Sequence, residues 1–100
     1  MYGLIGKMRS VPGKREELLQ ILFEVTTALP GCLNYVIARD PGDTTALWIT
    51  EVWTDAASHK TSLALPEVQA AITKAKPCIA GFEFQIETEP VGGFGLPAAK

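Results

Sequence analysis

Ala46-Leu47-Trp48-Ile49-Thr50-Glu51-Val52-Trp53 is the stretch on which the fold of this chain turns, and it reads as a β-strand. Successive side chains of a strand point to opposite sides, so Leu47, Ile49, Glu51 and Trp53 share one face. Ala46, Trp48, Thr50 and Val52 share the other. Both faces are largely apolar, so neither is expected to meet water. One is expected to pack on helices, and the other needs a second cover.

Upstream, Asp40-Pro41-Gly42-Asp43 carries strong turn chemistry. Before it, Cys32 to Arg39 reads as another strand, with Tyr35, Val36 and Ile37 at its centre. The two strands are close enough for an antiparallel hairpin with a loop of about six residues. Further upstream, Tyr2 to Arg9 is a first strand, broken at Pro12-Gly13. Lys14 to Leu29 then shows helical spacing, with Leu18, Ile21, Leu22, Val25 and Leu29 on one stripe. Leu19, Phe23 and Thr26 flank that stripe and widen it, and Pro30-Gly31 ends the helix.

Downstream, Thr54 or Asp55 suits the N-cap of a short helix, Ala56 to Leu63. Pro66 suits the first turn of another, Pro66 to Lys76, with Val68, Ala71, Ile72 and Ala75 along one side. Pro77 stops it, and Gly81 gives way to a last strand, Phe82 to Glu89. There Phe82, Phe84 and Ile86 alternate with Glu83, Gln85 and Glu87. Residues 91–100 form a tail rich in glycine and proline. The order strand, helix, strand, strand, helices, strand is the α+β, ferredoxin-like split βαβ arrangement with a four-stranded antiparallel sheet. Such a sheet bears helices on one face only. The apolar second face therefore predicts a homodimer, two sheets packed face to face with their helices outside.

One hundred residues make a single domain, 1–100. The hydrophobic share, 47%, is high for so small a chain and points to apolar surface buried against another chain. The net charge is −2 and no basic cluster exceeds Lys7, Arg9, Lys14 and Arg15, which argues against nucleic-acid binding. Cys32 and Cys78 lack metal-binding spacing, and one histidine completes no usual zinc pattern with them. They are expected to be free buried thiols. Gly92-Gly93-Phe94-Gly95 has no lysine or helix start after it and is not a phosphate loop. With no leader and no apolar run of membrane length, a soluble, cytoplasmic protein is expected, without a membrane partner.

Glu51-Val52-Trp53-Thr54-Asp55 followed by His59, then Leu65-Pro66-Glu67 and Ala80-Gly81-Phe82, together resemble the antibiotic-biosynthesis monooxygenase family. Val11-Pro12-Gly13-Lys14, Pro30-Gly31-Cys32 and Pro41 extend the likeness over nearly the whole chain. The resemblance implies a dimeric α+β barrel, a pocket between the sheet and its own helices, and oxygenation of electron-rich aromatics without a cofactor. In members that oxidise anthrone-type polyketides, a strand-end tryptophan and a tyrosine six positions later line the pocket. Trp53 matches the first and His59 stands in the second position. An asparagine four residues before the tryptophan is Ile49 here. The haem-degrading branch uses an asparagine, a tryptophan and a haem-ligating histidine at positions matched by Lys7, Ser62 and Ile72, so no haem is expected. Quinol-oxidising and sugar-signal-processing relatives carry histidines where this chain has Ser62 and Glu67.

On a helix from Ala56, His59 shares a face with Leu63, which draws the imidazole inward. An unperturbed imidazole titrates near 6.5, suited to a general base; the bland alternative is a histidine bonded to a backbone carbonyl. Trp53 is either core or an aromatic wall for a substrate. Glu51 lies among apolar residues and needs a partner or a raised pKa; a structural hydrogen bond or dimer salt bridge is the plainer reading. The expected catalytic residues are His59 and Trp53, and the expected substrate-binding residues are Phe23, Ile49, Glu51, Ser62 and Ile72. The expected activity is cofactor-independent oxygenation of a small electron-rich aromatic or quinol by O2. A non-catalytic dimeric domain binding a small metabolite, or an isomerase using the same pocket, would need the same side chains.

Overall fold

In a computed structural model, residues 1–26 and 29–97 are described. The elements are β1 (Tyr2–Ser10), α1 (Arg15–Val25), β2 (Cys32–Arg39), β3 (Ala46–Trp53), α2 (Ala56–Ser62), α3 (Pro66–Ala75) and β4 (Ile79–Thr88). The four strands form one antiparallel sheet in the order β2-β3-β1-β4. This is the ferredoxin-like α+β fold. The two-faced strand β3 is central, paired with β1 through Tyr2↔Trp53 to Arg9↔Ala46 and with β2 through Tyr35↔Glu51 and Ile37↔Ile49.

The core lies between the sheet and the helices. Leu18, Leu19 and Ile21 of α1 and Ala71 and Ala75 of α3 pack on Met8, Leu47 and Ile49, with Cys78 closing one side. Leu18 and Leu47 are fully buried. Small alanines on α3 let that helix approach closely, and its proline stands in the first turn, where a missing N–H costs nothing. Among the described residues no helix is long and apolar enough to cross a membrane.

Two boundaries differ from expectation by more than a residue. Helix α1 ends at Val25 rather than Leu29, with Thr26 as its C-cap. The β-branched pair Val25-Thr26 restricts χ1 and disfavours continuing the helix; residues 27–28 of the expected end lie outside the described residues. Strand β4 begins at Ile79, so Gly81 lies inside the strand, opposite Arg9. The alternation along β4 is also interrupted. A register shift between Lys7 and Met8 pairs Phe84 with Lys7 but Phe82 with Met8, which sends Phe82 to the helix side and Phe84 to the open side. Both thiols are free; Cys78 is buried and donates to Glu17 Oε2 (3.1 Å), whereas Cys32 is half-buried.

Away from the helices, the sheet face is mixed. Val36 and Ile86 are 49% and 52% exposed, and Phe84 packs edge-on against Trp48 at 5.3 Å between ring centroids. The Trp48 indole donates to Asp40 Oδ2 (2.9 Å), and Lys7 Nζ lies 5.4 Å from the Trp48 ring centroid and 3.1 Å from Glu83.

Candidate functional site

A cavity of about 420 Å³ opens between the sheet and helices α1, α2 and α3. Most of its wall is aliphatic: Met8, Leu22, Val25, Ile49, Leu63, Val68, Ala71 and Ile72 all contribute. Glu51, Trp53 and His59 meet at the end where β3 finishes, while Lys7, Thr26, Tyr35, Ser62 and Gln85 also line the cavity. There the strand sets Ile49, Glu51 and Trp53 on the helix side, each two residues after the last.

Glu51 sits in the middle of the sheet, flanked by Tyr35 on β2 and Leu4 on β1. Its side chain is 12% exposed. Burial pushes its carboxyl up from the ordinary value, and the Trp53 hydrogen bond and the neighbouring His59 partly offset this. Trp53, 1% exposed, donates its indole N–H to Glu51 Oε1 at 2.9 Å. The tryptophan thus supplies both an aromatic wall and the polar partner that a buried carboxylate requires.

His59 arrives from α2. Asp55 caps that helix by accepting the Ser58 backbone N–H at 2.7 Å, and its extended backbone turns the chain off the strand end. Gly31 lets the segment before β2 pass close beneath α2. Its φ is +81°, and a Cβ there would lie 2.6 Å from Ser58. The result is an imidazole held edge-on to Trp53 (5.4 Å between centroids) and beside Tyr2 (5.6 Å). His59 Nε2 stands 3.8 Å from Glu51 Oε1, an ion-pair distance but too long for a hydrogen bond.

Six of the seven residues singled out from sequence line this cavity: Ile49, Glu51, Trp53, His59, Ser62 and Ile72. The Ser62 hydroxyl donates to the His59 carbonyl at 2.6 Å, so it braces α2. Phe23 does not line the cavity; it lies on the outer side of α1 and is 46% exposed. Two tyrosines escaped the sequence reading. Tyr35 lines the cavity beside Glu51, and burial together with the Glu51 charge pushes its phenol far above the ordinary value, so it stays protonated. Counting back across the hairpin from Glu51 would have found it. Tyr2 reaches the site only through the β1–β3 pairing, which no local pattern reveals. Among the described residues no three His, Cys, Asp or Glu side chains converge as a metal site would need.

A family model described as antibiotic biosynthesis monooxygenase matches residues 1–74. Among solved structures, a candidate antibiotic biosynthesis monooxygenase from Chloroflexus aurantiacus J-10-fl is 55% identical, with a TM-score of 0.92, covering 96% of this chain and 98% of its own. One from Deinococcus radiodurans is 26% identical with a TM-score of 0.77, covering 94% and 96%. A third, from Caulobacter crescentus CB15, shares the fold at 20% identity and a TM-score of 0.74, covering 87% and 84%. No curated protein matches the chain significantly.

Proposed function

The chain belongs to the antibiotic biosynthesis monooxygenase family, and from that membership and the cavity we propose a cofactor-independent monooxygenase acting on a small electron-rich aromatic or quinol. The observation that carries this reading is the grouping of Glu51, Trp53 and His59 at one end of a mostly apolar cavity. Oxygenation of this kind asks little of a protein: a dry pocket, an aromatic wall and one proton acceptor.

His59 takes the proton from the substrate hydroxyl, and the Glu51 carboxylate at 3.8 Å stabilises the imidazolium that results. The electron-rich anion passes one electron to O2, and the radical pair joins at a ring carbon as a hydroperoxide. Loss of water leaves a carbonyl. One oxygen atom of O2 ends in that carbonyl and the other in water, so a phenol C–H becomes a quinone without any outside reductant. Trp53 and the aliphatic wall keep bulk water from the anion.

The same reading makes the open sheet face the contact of a homodimer. Val36, Phe84 and Ile86 are exposed apolar side chains on that face, and a second copy would cover them.

The test is oxygen uptake across a panel of quinols and hydroxyaromatics. One O2 consumed per product is expected with at least one of them. His59→Ala is expected to lower turnover by about 10²–10⁴-fold with the fold retained. Tight binding without oxygen uptake would instead make this a binding domain, and a product of unchanged mass would make it an isomerase.

A further inference from the structure

Among the described residues, the polar end of the cavity carries a carboxylate and no fixed cation. Glu51 is the charged group there, and His59 adds a positive charge only when protonated. Lys7 borders the same cavity through its strand, but its ammonium is turned to the opposite sheet face, 3.1 Å from Glu83 and over the Trp48 ring. The cross-strand neighbour Tyr35 keeps its proton, so its phenol adds no charge. A ligand reaching this end therefore meets a buried acceptor whose field is weakly screened.

We infer that Glu51 determines ligand class: the cavity admits neutral hydroxyaromatics that donate a hydrogen bond, and excludes aromatic carboxylates and other anions of the same shape. This rests on the cavity being the ligand site, as proposed above, and adds the charge rule that selects among aromatics. An anion placed beside Glu51 would bring two like charges together in a buried space with no fixed cation among the described residues to offset them. A phenol or quinol instead brings no charge to this end and donates its O–H to the His59–Glu51 pair.

Calorimetric titration with three probes of one ring system tests this: 2-naphthol, naphthalene-2-carboxylate and 2-methoxynaphthalene, at pH 8. With the wild-type protein, 2-naphthol is expected to bind about tenfold or more tightly than either of the others. Glu51→Gln keeps the shape and an acceptor for Trp53 while removing the charge, and is expected to bring carboxylate and naphthol within about threefold of each other. Glu51→Asp keeps the charge and should keep the discrimination, which guards against a Gln variant that merely folds badly. Because the chain has one histidine, the imidazole resonances of His59 report directly whether naphthol occupies this end. Equal or tighter wild-type binding of the carboxylate overturns the inference, as does a gap that persists in Glu51→Gln or a methoxy probe that binds like naphthol. Any of these leaves the cavity standing as the ligand site. Binding of none of the three overturns both.

Discussion

Glu51 is costly to the fold at neutral pH because its carboxyl is buried and its pKa raised. For such a group the unfolded chain releases its proton first as pH rises. The stability is therefore complete below the ordinary carboxylate range and is lost as pH climbs through the folded value. Glu51→Gln should accordingly melt at a higher temperature than wild type at pH 7, with the difference closing toward pH 4 in a calorimetric pH series. Trp53→Phe acts oppositely. It leaves a gap at a side chain 1% exposed and deprives Glu51 of its 2.9 Å donor. A loss of about 1–3 kcal/mol is expected in denaturant titration, with ligand binding weakened more than turnover. Trp53 and His59 could be read from sequence because a strand-end aromatic and a helical histidine six residues on have fixed directions. Tyr2 could not, because it meets His59 only after two strands remote in sequence have paired.

Among the elements, the β2–β3 hairpin is the most completely determined locally. Its loop is held by Asp43, whose carboxylate accepts the Thr45 backbone N–H (3.0 Å) and hydroxyl (2.9 Å) and also pairs with Arg9. These donors hold the Asp43 pKa down to about 2. A depressed carboxyl contributes stability above its ordinary pKa and loses it as pH falls toward the folded value. Asp43→Ala should therefore melt below wild type at pH 7, and the gap should vanish near pH 2. Strand β4 is the contrasting case. Its hydrophobic alternation suggests one apolar face, yet the bulge opposite Lys7 and Met8 splits Phe82 from Phe84. A bulge is settled by the partner strand, so no reading of Phe82 to Glu89 in isolation could have placed it.

For the molecule as a whole, the open face is the decisive surface. Sedimentation at micromolar concentration is expected to give twice the chain mass. Val36→Asp, at a position 49% exposed on that face, should shift the protein to monomer without unfolding it, because the core lies on the other side of the sheet. A wild-type monomer at those concentrations would remove the proposed interface and leave Val36, Phe84 and Ile86 as ordinary surface residues.

The element order, the two-faced character of the strand Ala46–Trp53 and the common direction of Ile49, Glu51 and Trp53 were legible in the sequence alone. These follow from periodicity and turn chemistry, which act over a few residues. It also carried the family likeness. Tertiary structure alone decided that Glu51 hangs between an indole and an imidazole, that Tyr35 and Tyr2 join them, and that Phe23 stays outside. Those outcomes depend on strand register, on the bulge in β4 and on how closely α2 approaches Gly31. Each is a contact between segments far apart in the chain, and the free energy that fixes it exists only once both segments are in place.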